Sequence, residues 1–507
     1  MVEWRLFWVS PEGRKHGVQA SLPEGWEDLA ARREAVSLRS GNPIFLSPDY
    51  RVDPVLCQYG QSGAFRGLAA ESQRNYATDT KILLTFLWAR GKSWRDATAR
   101  DLEDFEDWRR RAIANPQRIG GAKWDRELAA FALLYKWAKR EGYVTQDPVQ
   151  LMGGSQARAV DSADANVHWL TPRTWRLWLD VGLRGHDRDG VPRAGWPGRL
   201  EDRNTAYVRL LTSSGLRRQE AGSLLTFEVP SASLSGERYW PGRVAGAVTR
   251  SRSTRTFYAS SQAVGDIESY TVSSRAWAVR QAQRAGRYDG LAMRMVTEVS
   301  RRPRPMVVWR ELDGTVGRLE LSRLGVPDRL SLFTEGPDGP EPLWLWLNEQ
   351  GLPFLPHSWN NVFRTANKRC EEVLAPAEEV RRGDPHLVWA PYATPHSTRH
   401  SFALFMLVVL NEVMDQRYGL SAAERRDFQL LYGDPWFLVQ GLLGHKSRET
   451  TVKHYLAPVR HLQLISLLAN VQEPLADPLP DLDGVFARVA ADALGIQDID
   501  TRMAVAE

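Results

Sequence analysis

The sequence predicts a mainly helical α+β protein with two domains, a small helical one followed by a larger one that contains a β-hairpin. Three observations lead to this prediction. The chain has 507 residues, which is too long for one hydrophobic core. Residues 68–149 carry apolar side chains at helical spacing. Beyond a polar stretch at 153–166, helical patterns alternate with stretches that favour strands.

The composition is that of a globular protein with a basic balance. Hydrophobic residues make up 43% of the chain and charged residues 25%, as in ordinary water-soluble proteins. The net charge is +5, which favours a polyanionic partner. Cys57 and Cys370 are isolated, so the sequence predicts neither a zinc site nor a disulfide framework. The N-terminus lacks a signal-peptide pattern, and the longest apolar run, 402–410, is too short to span a bilayer. We expect a cytoplasmic protein with no membrane partner.

The first part of the chain predicts an extension and then a helical domain. Residues 1–65 show no clear periodicity, and their role stays open. The glycine-rich stretch 60–67 lacks a P-loop lysine and predicts a plain loop. Residues 66–152 predict about four helices, since apolar side chains recur every three or four positions. Examples are Tyr76, Leu83, Leu84 and Leu87, and then Leu128, Phe131, Tyr135 and Ala138.

A polar, aperiodic linker at 153–168 separates this domain from the larger one, predicted for 169–468. The larger domain opens with a helix, a turn and a second helix in NTAYVRLLTSSGLRRQEAGSLL. Residues 237–260 predict a β-hairpin or a small sheet. Residues 263–345 mix helix and strand signals, and the apolar run 402–410 predicts a buried helix. A tail rich in Pro and Asp covers 469–507.

Three short stretches, far apart in the sequence, share one chemical character. They combine arginine, histidine and tyrosine, and they read SSGLRRQEAGSLL, PHSTRHSFA and LLGHKSRETTVKHY. The residues that carry the pattern are Arg217, Arg218 and Glu220, then His396, Arg399 and His400, and finally His445 and Tyr455.

This set of side chains suits chemistry at a phosphodiester. Paired arginines neutralise the charge that grows on phosphate during attack. A tyrosine hydroxyl can attack phosphorus and form a covalent phosphotyrosine, and a nearby histidine can take its proton. Such a reaction needs no metal and no cofactor, and the sequence shows no carboxylate cluster to hold a metal. The pattern therefore predicts a strand-breaking and strand-rejoining site.

The same stretches resemble the three signature boxes of the tyrosine recombinases, also called phage integrases. The family's boxes read roughly T-G-L-R-x-x-E, then H-x-x-R-H, then L-L-G-H with a tyrosine nine or ten residues on. Here they are the segments 214–220, 396–400 and 442–455. The resemblance covers about residues 68–468 and implies a catalytic domain at 169–468. It also implies that the helical domain at 66–152 is the SAM-like core-binding domain, and that the two domains form a clamp on DNA.

The resemblance also implies a role for each matching residue. Arg217 and Arg399 would hold the scissile phosphate, and Tyr455 would be the nucleophile. His396 would assist proton transfer, and His445 would bond to the phosphate. Glu220 and His400 would support the site. Tyr418 and Tyr432 compete less well as nucleophiles, because Tyr455 alone lies ten residues after His445.

Two departures from the family pattern concern the hairpin and the length. The family's hairpin carries a catalytic lysine, but TRSRSTRTFY has none. Arg250 matches the position best and is predicted as a catalytic group, although arginine is a poor proton donor. Arg218, Arg252 and Arg255 are predicted to bind DNA. Boxes one and two are unusually far apart, which predicts an insertion at about 263–345.

The resemblance implies a site-specific DNA recombinase that works through a 3′-phosphotyrosyl intermediate, with integration or excision of a mobile element as its role. Two alternatives stay open. One is a catalytically weak DNA-binding protein of the same fold, and the other is a type IB-like topoisomerase or telomere resolvase. Expected partners are double-stranded DNA, further copies of the chain in a synaptic tetramer, and accessory bending or directionality factors. The expected location is then the nucleoid.

Overall fold

The computed structural model divides the chain into two compact units, residues 1–164 and residues 165–507. The structure describes residues 3–9, 41–152, 169–196, 198–230, 239–300, 304–374, 390–412 and 435–444.

The first unit is helical, with a two-stranded sheet at its start. Its strands are β1 (Arg5–Trp8) and β2 (Pro43–Leu46), which pair antiparallel. Its helices are α1 (Pro54–Gln61), α2 (Gly63–Arg66), α3 (Ala70–Ala89), α4 (Ala99–Arg110), α5 (Gly121–Arg140) and α6 (Pro148–Leu151).

Polar side chains fix where several of these helices begin. The Asp53 carboxylate accepts the backbone N–H groups of Val55 and Leu56 at 2.9 and 3.0 Å and so caps α1. Thr98 and Asp101 form a reciprocal capping box at the start of α4. The prediction of a plain loop at 60–67 is wrong, because the Ser62 hydroxyl caps α2 and Phe65 within that helix is fully buried.

The core of the first unit includes residues from the predicted N-terminal extension. Trp4, Phe45 and Tyr59 belong to the same buried cluster as α3 and α5. The apolar positions predicted for α5 are all buried, which is what the helical spacing requires. In the same unit Glu127 accepts two hydrogen bonds from Arg109, at 2.6 and 3.0 Å, with both side chains almost completely buried.

The second unit contains most of the described secondary structure. Its helices are α7 (Pro172–Trp178), α8 (Glu201–Ser214), α9 (Arg218–Gly222), α10 (Ser261–Tyr270), α11 (Ala276–Arg284), α12 (Val326–Leu330), α13 (Trp359–Leu374), α14 (Ser397–Glu412) and α15 (Pro435–Leu443). Its strands are β3 (Tyr239–Val244), β4 (Arg255–Ser260), β5 (Arg294–Val299), β6 (Met306–Arg310), β7 (Val316–Glu320), β8 (Leu332–Gly336) and β9 (Gly339–Pro342).

Two sheets lie in the described part of this unit. Strands β3 and β4 form an antiparallel hairpin, as the sequence predicts, and Val244 pairs with Arg255 in the last pair before the turn. The segment predicted as an insertion contains α10, α11 and a five-stranded sheet in the order β7-β6-β5-β8-β9. Strands β5 and β8 pair in parallel, and the other neighbours pair antiparallel. A buried pair joins this segment to the rest, since Arg329 donates to the Glu228 carboxylate at 2.5 and 2.9 Å.

Aromatic side chains fill the core around α8. The rings of Tyr207 on α8 and Trp359 on α13 stack with centroids 3.5 Å apart, and Trp346 packs edge-on against both. The predicted fold class, mainly helical α+β with a small β-sheet or hairpin, is confirmed. In the part of the chain that the structure describes, every helix is too short or too polar to cross a membrane.

Candidate active site

The first box is built on a tight turn between α8 and α9. Gly215 ends α8 in the left-handed region, with φ +62°, a conformation that favours glycine. A Cβ at this position would lie 2.6 Å from the Phe402 Cε1 atom on α14. The glycine of box one is therefore required twice, by its own backbone and by the close approach of the helix that carries box two.

Glu220 organises the residues around this turn. Its carboxylate is 1% exposed and accepts the Arg217 backbone N–H at 2.8 Å and the Arg217 Nη1 at 3.1 Å. It also accepts the Arg255 Nη2 at 2.6 Å. Because one carboxylate serves both guanidinium groups, Glu220 fixes Arg217 at the start of α9 and Arg255 at the start of β4 relative to each other.

The second box begins α14. The Thr394 backbone N–H donates to the Ser397 hydroxyl at 2.8 Å, and the Ser397 N–H donates to the Thr394 hydroxyl at 3.1 Å. These bonds fix the turn that presents His396. Arg399 follows on the helix with 0% of its surface exposed, and it donates to the backbone carbonyl groups of Gly215 and Leu443. One side chain of box two thus links the turn of box one to the end of α15, just before box three's glycine.

His396 and His400 lie one helical turn apart, with ring centroids separated by 4.5 Å at an angle of 78°. The pKa of His396 lies below its usual value, because burial disfavours the charged ring and the Arg399 and Arg217 guanidinium groups repel a proton. A neutral imidazole can accept a proton at neutral pH. The charges of boxes one and two therefore act on the same histidine.

The third box is described only up to its glycine. Helix α15 ends at Leu443, and Gly444 follows in the left-handed region with φ +66°. A Cβ there would lie 2.5 Å from the Arg255 Nε atom, so Arg255 packs closely on this glycine. His445 and Tyr455 lie outside the described residues.

The residues predicted to bind DNA, and Arg250, which is predicted as a catalytic group, fall into different environments. Arg250 and Arg252 are exposed in the turn of the hairpin, and Arg252 has a positive φ of 54°. Arg218 is half-buried, and its backbone carbonyl accepts the Tyr207 hydroxyl at 2.9 Å. The Arg255 side chain is only 11% exposed and is paired with Glu220. The sequence pattern grouped Arg255 with Arg252 as DNA-binding, and the register of the hairpin separates them, because Arg255 pairs with Val244 in the ladder whereas Arg252 lies in the turn.

Comparison with known proteins supports the predicted class. Residues 64–142 match the family model for the phage integrase N-terminal SAM-like domain. This match covers the helices of the first unit from α2 to α5, and over this domain it confirms the predicted relationship to the tyrosine recombinases. No curated protein matches the sequence.

Several solved structures, including the following three, show low-identity similarity over most of the chain. The XerH site-specific recombinase bound to a palindromic difH substrate is 12% identical, with 82% of this chain and 83% of that chain covered and a TM-score of 0.40. The Tn1549 transposon integrase in complex with circular intermediate DNA is 12% identical, with coverage of 78% and 93% and a TM-score of 0.37. A lambda integrase dimer bound to a COC′ core site is 12% identical, with coverage of 82% and 94% and a TM-score of 0.35.

Proposed function

We propose that the chain is a site-specific DNA recombinase of the tyrosine class. The observation that carries the proposal is the convergence of the boxes on Arg399, which donates to the Gly215 and Leu443 carbonyl groups. These contacts join residues that are 184 and 44 positions apart. Burying a charged side chain is costly. If the three boxes were only surface segments, there would be no physical reason to bury the Arg399 charge between them.

In the proposed reaction the Tyr455 hydroxyl oxygen attacks the scissile phosphorus. A phosphotyrosyl bond to the DNA 3′ end forms, the bond from phosphorus to the 5′-oxygen breaks, and the phenol proton passes to His396. The 5′-oxygen takes a proton from water, while Arg250 stabilises its negative charge. Attack of a 5′-hydroxyl from another strand reverses these steps and joins the DNA. Arg217, Arg399 and His445 are proposed to contact the phosphate, Glu220 to orient Arg217, and His400 to support the site.

The nucleophile is tested with nicked duplexes that lose the 5′-hydroxyl fragment after cleavage and so trap the covalent product. DNA flanking the gene supplies the first substrates, and a nicked library with randomised sequence supplies the rest. The native chain should form an adduct that survives denaturation in detergent. Tyr455→Phe should bind the same DNA and form none, because the attacking oxygen is absent. Tyr432→Phe is the matched control and should keep the adduct. Adduct formation by Tyr455→Phe would refute the assignment.

The same assay separates the proposal from its alternatives. A DNA-binding protein without catalysis would give no adduct with any member of the library. A topoisomerase or telomere resolvase would form the adduct on one duplex but would not exchange strands between two. A two-site assay, in which recombinant products are counted after incubation of two marked duplexes, should give exchange products with the native chain.

A further experiment tests whether Arg250 assists the departure of the 5′-oxygen. Arg250→Ala should lower the single-turnover cleavage rate, and Arg250→Lys should retain or raise it, since lysine can also donate a proton. A substrate with sulfur in place of the bridging 5′-oxygen should rescue Arg250→Ala, because a thiolate leaves without a proton. If Arg250 contacts only backbone phosphate, Arg250→Ala will weaken binding and leave the rate of bound DNA unchanged.

A further inference from the structure

Two guanidinium groups of the candidate site share one carboxylate. Glu220 accepts Arg217 Nη1 at 3.1 Å and Arg255 Nη2 at 2.6 Å, and the three side chains are 25%, 11% and 1% exposed for Arg217, Arg255 and Glu220. The charges of this cluster therefore sum to one net positive charge beneath the protein surface. Buried excess charge is unfavourable unless a counter-charge meets it, so the cluster is suited to an anion.

The Arg255 guanidinium has a donor to offer such an anion. Its Nη2 is bonded to Glu220, whereas its Nη1 is buried without a hydrogen-bond partner among the described residues. A charged donor without an acceptor is costly, and a phosphate oxygen is the acceptor that a guanidinium fork matches best. The pKa of Arg255 is lowered by burial and by the nearby Arg217 charge. Both effects show that the positive charge of Arg255 is unfavourable in this cluster without a further counter-charge.

The position of Arg255 also joins the boxes. Its Nε and Cδ atoms pack on Gly444, the residue before His445, and its Nη2 reaches Glu220 of box one. Arg250, in contrast, lies exposed in the hairpin turn. Of the hairpin's arginines 250, 252 and 255, only the last shares a carboxylate with Arg217 in the described structure.

We propose that Arg255 is a further catalytic residue, whose Nη1 donates to a non-bridging oxygen of the scissile phosphate beside Arg217. The proposal rests on the proposed function. It assigns a catalytic role to Arg255 at the start of β4, whereas the sequence pattern predicted such a role in the hairpin only for Arg250 in the turn. Arg255 then neutralises the charge that develops on the phosphate as Tyr455 attacks.

The test compares a charged and an uncharged scissile group. Single-turnover cleavage is measured at saturating protein on a nicked duplex with a normal phosphodiester, and on the same duplex with a methylphosphonate at the scissile position. The methyl group replaces one non-bridging oxygen and removes the negative charge. On the normal duplex Arg255→Ala should be slower than the native chain by about 10²-fold to 10³-fold, the usual loss for one donor to a developing oxyanion.

On the methylphosphonate duplex the same variant should lose less than about 10-fold, because the scissile group carries one negative charge fewer than the phosphodiester, both before and during attack. Arg255→Lys should fall between the native chain and Arg255→Ala on the normal duplex, since it keeps the charge without the planar fork. Arg209→Ala is the matched control. It removes a partly buried ion pair of the same unit, with Asp266 at 2.7 Å, and should cleave both duplexes at the native rate.

A purely structural role gives a different result. If Arg255 only holds Glu220 in place, Arg255→Ala will lose the same factor on both duplexes, and an equal loss or no loss overturns the proposal. Arg255→Lys provides the same comparison if the alanine variant does not fold, which circular dichroism reports. Failure of the native chain to form any adduct refutes the proposed function instead, so the two failures are distinct.

Discussion

Gly215 offers the sharpest test of how the candidate site is assembled. Substitution by alanine adds one methyl group at a residue whose φ is +62° and whose Cβ would lie 2.6 Å from the Phe402 Cε1 atom. The left-handed backbone costs a residue with a Cβ about 1–2 kcal/mol. Phe402 is 4% exposed, so its ring cannot move away freely, and overpacking of this kind costs about 1–3 kcal/mol. Gly215→Ala should therefore destabilise the protein by about 2–5 kcal/mol.

Gly190→Ala separates the two contributions. Gly190 also has a left-handed backbone, with φ +77°, but nothing lies within 4 Å of its Cβ position. Its substitution should cost only the backbone term of about 1–2 kcal/mol. Urea unfolding of both variants, followed by far-ultraviolet circular dichroism, gives the difference. Equal destabilisation of the two variants would refute the inferred contact between the turn of box one and the helix of box two.

Three further predictions concern pH, buried charge and salt. The lowered pKa of His396 should keep its ring neutral to a pH below the ordinary value of about 6.5, and Arg217→Gln should raise that pKa by removing a positive neighbour. Titration of the ring proton resonance by nuclear magnetic resonance measures both, and an unchanged pKa would contradict the inferred proximity. Glu127→Gln should lower the free energy of unfolding by about 3–5 kcal/mol, because it leaves a buried guanidinium without its carboxylate. Arg111→Ala removes an ion pair with Asp107 whose side chains are 64% and 61% exposed, and it should cost less than about 1 kcal/mol. Similar unfolding midpoints for the two variants would contradict this. DNA affinity should fall steeply between low and physiological salt, because neutralised phosphates release counterions, and a flat dependence would count against phosphate contacts.

The local elements and the chemical character of the candidate site follow from the amino-acid sequence. Apolar spacing predicts α5 and its buried face, because a period of 3.6 residues is a property of the helix alone. The order of the boxes predicts the class of protein, and, separately from the boxes, residues 64–142 match the family model for the phage integrase N-terminal SAM-like domain. The prediction of a loop at 60–67 was wrong at the same local level. It gave more weight to the glycines of this stretch than to Ser62, whose side chain caps the helix that follows.

Which basic residues belong to the candidate site depends on how distant segments of the chain pack together. The same residue type, arginine, stands at positions 250, 252 and 255, within a stretch of six residues. The sequence alone therefore does not distinguish these three side chains. The hairpin register places Arg255 opposite Val244 and leaves the other two in the turn. The contacts of Arg255 with Glu220 and Gly444 and those of Arg399 with Gly215 and Leu443 join distant parts of the chain. Spacing along a sequence fixes which side chains share one helix or strand, but the packing of those elements against one another decides which charges meet.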